Sequence, residues 1–171
     1  MRERRELDME KVYCVLFLSR RNSARSLMAE AVLRRYGAAK FRAFSAGVEP
    51  STQIEPVALD VLTQAGYRAD ELRPKHWREL ARSDPELDFL FTMSDTAAGE
   101  TLPEWRGKPV TAHWRYPDPV RAEGTEWEKR RAFAQILAGI ERQLQIFVQL
   151  PLASLDHMAL KARLDELGSA E

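Results

Sequence analysis

The chain has 171 residues, with 26 Lys and Arg balancing 26 Asp and Glu, so it carries no formal net charge. That balance argues against a general nucleic-acid or membrane-surface binder, whose footprint is an excess of positive charge. Hydrophobic residues at 44% and charged residues at 30% fit one soluble domain over 1–171, a length that buries roughly 70% of its unfolded surface.

Residues 1–10 read as a charged N-terminal extension without the apolar core of a signal peptide. No apolar run approaches the ~18 residues of a membrane span, and a cytoplasmic location is expected. The run Val12 to Leu18 is continuously apolar, a strand buried on both faces. Cys14, the one cysteine, lies within it and is expected to pack rather than react. Leu27 to Tyr36 has helical spacing and closes at Gly37. Phe41–Ser45 reads as a second strand. Pro56 to Ala65 reads as a helix with Pro near its start and Gly66 after its end. Leu87–Met93 and Pro109–His113 read as two further strands, with residues 74–86 left as a connecting helix or loop. Glu126–Leu150 holds the 3.6-residue period until Pro151, and a last helix from Asp156 to Leu167 ends at Gly168. Strands alternating with helices imply an α/β fold with a parallel sheet and right-handed crossovers. Ligands of such sheets bind beyond the carboxyl ends of the strands.

The segment leaving the first strand is Ser19-Arg20-Arg21-Asn22-Ser23-Ala24-Arg25-Ser26. At a strand-to-helix turn, free N–H groups and the positive end of the helix dipole converge on one point. Guanidinium groups from Arg20, Arg21 and Arg25 match paired oxygens of a phosphate-like ion. Asn22 tolerates the left-handed backbone of a tight loop. Ser23 and Ser26 offer hydroxyls to cap the helix or bond residue 19. An ordinary turn with solvated arginines would have the same composition. No metal or nucleotide site is visible, and the loop lacks the Gly-Lys-Ser/Thr ending of a nucleotide-phosphate loop.

Several segments carry a family resemblance: Val15-Leu-Phe-Leu18, Asn22-Ser-Ala-Arg-Ser26, Met28-Ala-Glu30, Ser45-Ala-Gly47 and His113-Trp-Arg-Tyr-Pro-Asp-Pro119. They resemble the low-molecular-weight phosphotyrosine phosphatases and the arsenate reductases of the same fold, over about residues 11–155, with residues 156–168 as a C-terminal helix beyond. The resemblance implies a three-layer, four-stranded parallel sheet flanked by helices, and no cofactor. It places a nucleophilic cysteine where this chain has Ser19. It makes Arg25 the clamp on the transferring group, Ser26 the hydroxyl that steadies the nucleophile, and Asp118 the general acid. Ser45 is implied to brace the loop asparagine, and Ser94 stands where the reductase branch carries a second cysteine. Arg20 and Arg21 replace a small residue and glycine.

An alcohol without a positioned base is a poor nucleophile at neutral pH. The chain is therefore expected to bind phosphate, arsenate or a sulfate-like anion, free or on a phosphorylated protein, without turnover, and not to act on nucleic acid or membranes. Two alternatives stay open. One is an active phosphatase or reductase disabled by deliberate Cys-to-Ser changes at 19 and 94. The other is a structural or oligomerising protein with no oxyanion affinity. Trp114 and Tyr116 are candidate aromatic walls for the pocket, with core packing the expected fate of Trp114. His113 is a candidate to face the site.

Overall fold

The computed structural model describes residues 11–83, 86–99, 105 and 107–169; the N-terminal extension expected at 1–10 lies outside them. Strand β1 (Tyr13–Ser19) alternates its side chains between two cores. Tyr13, Val15 and Phe17 enter one hydrophobic cluster, and Leu16 and Leu18 the other. This is the period-2 geometry of a strand covered on both faces. Strands β2 (Phe41–Gly47), β3 (Phe89–Thr92) and β4 (Val110–His113) pair in parallel in the order β2-β1-β3-β4. The chain runs from β1 to one side and then returns past it, so the order reverses between β1 and β3. That reversal opens a crevice at their carboxyl ends.

Helix α1 (Arg25–Gly37) starts two residues before the apolar period does, and Ala24 at its N-cap supplies no side-chain cap. Its first-turn N–H groups therefore stay available to something else. From Ser26 to Leu33 every residue of α1 is buried, Glu30 included. Helices α2 (Pro56–Gln64) and α3 (Trp77–Ser83) follow, the latter resolving the undecided 74–86 segment as partly helical. A single-turn helix, α4 (Asp95–Ala98), follows β3 and is capped by Ser94, whose hydroxyl accepts the Ala97 N–H at 3.1 Å.

The long helix α5 (Glu126–Phe147) begins with a capping box between Thr125 and Glu128. Phe147, at its end, meets the rings of Phe41, Phe89, Phe91 and Trp114 at centroid separations of 5.1 to 6.1 Å. Helix α6 (His157–Ser169) runs through Gly168, which the sequence marked as a stop. Its missing side chain serves close approach instead: a Cβ there would sit 2.6 Å from Trp114 Cδ1 and 2.9 Å from the His113 carbonyl oxygen. Helix α6 is further tied to β4 by Trp114 Nε1–H donating to Leu164 O at 3.0 Å and Lys161 Nζ donating to Thr111 O at 2.7 Å.

Cys14 is half-buried rather than enclosed, near the start of β1 and five residues from its carboxyl end. Burial pushes its thiol above the ordinary value, which keeps it protonated at neutral pH.

Candidate oxyanion site at the carboxyl end of the sheet

Ser19 ends β1 and is 2% exposed. Its Oγ accepts the Asn22 N–H at 3.2 Å and lies 2.6 Å from Ser26 Oγ. Asn22 holds the turn from both ends of its amide. Its Nδ2 donates to Ser26 Oγ at 2.7 Å, and its Oδ1 accepts the Lys75 N–H at 2.9 Å. The backbone of Asn22 sits at φ 49°, in the left-handed region that Asn enters more readily than most residues. Outside the loop, the carbonyls of Ser19, Arg20, Arg21 and Ser23 accept N–H bonds from Val48, Glu49, Ser51 and Glu55. These four bonds tie the loop's backbone to residues 48–55. Gly47 permits this closeness, since a Cβ there would lie 2.9 Å from Arg20 O and 3.0 Å from Asn22 Cβ.

The brace implied for Ser45 on Asn22 is not made. Ser45 Oγ donates to Glu30 Oε1 at 3.0 Å, and the asparagine is held by the backbone of Lys75 instead. Lys75 then closes the circuit, because its Nζ donates to Ser45 O at 3.0 Å and to Arg73 O at 2.9 Å. Burial pushes Glu30 above the ordinary carboxylate range, against the pull of Lys75, Arg34 and Ser45. The same burial pushes Lys75 below its ordinary value. Arg34 Nη2 lies 3.3 Å from Glu30 Oε2 without forming a well-directed hydrogen bond.

A cavity of about 290 Å³ opens on this end of the sheet, lined by Arg20, Arg25, Ser94, Asp95, Thr96, Arg115, Tyr116, Pro117, Asp118 and Arg121. Of the eight loop residues singled out in the sequence, Arg20 and Arg25 line it. Ser19, Asn22, Ser23, Ala24 and Ser26 are buried, and Arg21 is exposed. The Arg25 side chain is 10% exposed, with Nη2 3.8 Å from Asp118 Oδ2. Its Nη1 donates to Tyr116 O at 3.0 Å and, more weakly, to Met93 O at 3.4 Å. Burial lowers the Arg25 pKa, partly offset by Asp118, but a guanidinium remains a cation throughout the working pH range.

Asp118 also accepts the Val120 N–H at 3.1 Å, which seats its carboxylate at the start of a short 3₁₀ turn. Ser94 contributes its hydroxyl to the α4 cap. His113 reaches the rim rather than the loop: Nε2 contacts Asp95 Oδ1 at 3.2 Å and Nδ1 lies 2.8 Å from Thr92 Oγ1. Trp114 is core, stacked on Phe91 at 3.9 Å. Tyr116 borders the cavity, but its hydroxyl is turned to Gln143 Oε1 and its ring packs on Gly139. Glu30, Lys75, Arg115 and Arg121 were not read from the sequence as site residues. Glu30 alone left a local signal there, a carboxylate within a helix segment that is otherwise apolar from Leu27 to Leu33.

Comparison with known proteins agrees with this arrangement. The sequence model of the low molecular weight phosphotyrosine protein phosphatases matches residues 14–159. An arsenate reductase of Halalkalibacterium halodurans is 28% identical over 139 residues, covering 79% of this chain and 94% of that protein. The structure of a thioredoxin-dependent arsenate reductase from Corynebacterium glutamicum superposes with a TM-score of 0.60 at 26% identity; the match covers 81% of this chain and spans 63% of that one. A tyrosine phosphatase of Escherichia coli K30, solved in complex with sulphate, has the same fold, with a TM-score of 0.64 at 24% identity over 81% of this chain and 97% of its own.

Proposed function

The chain belongs to the low molecular weight phosphotyrosine protein phosphatase family, and from that premise we propose that it binds a tetrahedral oxyanion at the Ser19–Ser26 loop without bonding to it covalently. The ligand class is phosphate, arsenate or the phosphoryl group of a phosphorylated partner. The observation that carries this reading is the environment of Ser19 Oγ. Asn22 Nδ2 donates to Ser26 Oγ, and the Ser26 and Ser19 hydroxyls share a hydrogen bond at 2.6 Å. Ser19 also accepts the Asn22 N–H. The partners of Ser19 Oγ are thus a backbone N–H and a second hydroxyl, neither of which is a base that could take its proton.

Such surroundings stabilise a negative atom at position 19 but do not create one from an alcohol. Activation needs a base in hydrogen-bond contact. Among the described residues, the contacts of Ser19 Oγ are Asn22 and Ser26, while His113 is engaged by Asp95 and Thr92. Arg25 closes the seat from the cavity side, where its guanidinium provides charge-assisted bonds to two ligand oxygens.

Two measurements on one preparation test the proposal. Calorimetric titration with phosphate and with arsenate is expected to give saturable binding, lost in Arg25→Ala. Hydrolysis of para-nitrophenyl phosphate is expected to be absent in the chain and present in Ser19→Cys. Turnover by the unmodified chain, or no affinity for either anion, refutes the reading.

A further inference from the structure

The cavity holds more guanidinium groups than an oxyanion seated at the loop can contact. Four guanidinium groups line it, from Arg20, Arg25, Arg115 and Arg121, against the two carboxylates of Asp95 and Asp118. Both carboxylates are shared. Asp95 faces Arg115 at 3.2 Å and His113 at 3.2 Å, and Asp118 faces Arg25 at 3.8 Å and Arg121 at 3.9 Å. Arg20 pairs with Glu49 through Nη2 at 3.4 Å, yet its Nε is buried without a hydrogen-bond partner. The first oxyanion is met by the loop and Arg25. Arg115 and Arg121 stand further out, 72% and 75% exposed.

We infer that the site takes a phosphate monoester carrying a second anionic group, the phosphoryl seated at the loop and the second group met by Arg115 and Arg121. The inference rests on the oxyanion reading above. Exposed ion pairs contribute little to stability, so these two arginines exchange an aspartate for a ligand anion at small cost. For Arg121, loosely paired with Asp118 at 3.9 Å, a directed contact with a ligand anion is the stronger one, and the closer Arg115–Asp95 pair is exposed enough to exchange. Two sources supply this chemistry, a phosphopeptide with acidic neighbours and a small bisphosphate, and they are separable by experiment.

The test is calorimetric titration at roughly physiological ionic strength, where surface charge is already screened. The probes are inorganic phosphate, fructose 6-phosphate against fructose 1,6-bisphosphate, and a phosphopeptide with Ser neighbours against one with Asp neighbours. In at least one pair, the doubly anionic member is expected to bind about tenfold tighter, and that pair identifies the source. In Arg115→Gln/Arg121→Gln the advantage is expected to fall below about twofold, while affinity for inorganic phosphate changes by less than about threefold. Equal affinity within both pairs, with inorganic phosphate still binding, overturns the inference and leaves the oxyanion reading standing. An advantage that survives the double substitution overturns it too. Failure of inorganic phosphate to bind removes the oxyanion reading itself, and the inference with it.

Discussion

Asn22→Ala tests whether one buried amide holds the loop in shape. The side chain is fully buried and makes two hydrogen bonds, to Ser26 Oγ at 2.7 Å and from the Lys75 N–H at 2.9 Å. Removing it orphans the Lys75 N–H, at a cost of about 1–3 kcal/mol. Ser26 keeps its contact with Ser19, so that loss is smaller, about 1 kcal/mol. Alanine at φ 49° adds about 1 kcal/mol of backbone strain. The sum is about 3–5 kcal/mol, or a fall of roughly 6–20 °C in Tm for a domain of this size. Urea unfolding followed by circular dichroism reads it directly. Asn22→Gly separates the parts, because glycine relieves the backbone strain but not the lost bonds, and it should be about 1 kcal/mol milder than alanine. An Asn22→Ala protein within about 1 kcal/mol of the parent would show that the loop is held by something other than this amide.

Three other variants probe the core and the loop support. Glu30 has its pKa raised by burial above the ordinary 4.5, so its stabilising contribution is complete below that pH and lost as pH rises through the folded-state value. Glu30→Gln has no proton to lose, and its stability relative to the parent should improve as pH rises above about 4.5; a constant difference in urea midpoints contradicts this. Phe147→Ala empties the junction of four rings and should cost about 3–5 kcal/mol by denaturant unfolding, against under about 1 kcal/mol if the packing is dispensable. Gly47→Ala drives a methyl against the backbone of Arg20 and Arg21, with an expected cost of about 1–3 kcal/mol in stability. Phosphate affinity should fall about tenfold as the loop shifts, and titration that finds it unchanged excludes a displaced loop.

What the sequence made legible was what neighbouring residues decide. The apolar run of β1 and the period of α5 are local patterns, and the strand and helix they marked are present to within a few residues at their ends. The left-handed turn at Asn22 was equally local, since it follows from a short polar side chain in a tight loop. The support of that turn was not. Lys75 lies 53 residues from Asn22 in the chain, and nothing in the residues around it names its partner. Ser45 was assigned to the asparagine by resemblance, but its hydroxyl donates instead to a buried carboxylate fifteen residues away. Gly168 was read as a helix stop because glycine usually is one, whereas here the constraint is an indole pressed against the helix. The arginine-rich rim was likewise assembled from three separate segments, around residues 20, 95 and 115–121.

The attachment of α6 to β4 also bears on how the protein behaves at high concentration. In the order β2-β1-β3-β4, β4 is a margin of the sheet, with no further strand beside it among the described residues. Such a margin is a template for pairing with another chain. Lys161 occupies the Thr111 carbonyl, and Gly168 lies against the His113 carbonyl. Helix α6, which lines none of the binding cavity, thus covers part of this margin. Removing residues 157–171 would uncover both that margin and the Trp114 indole, and the shortened chain would aggregate even where its loop still held an anion.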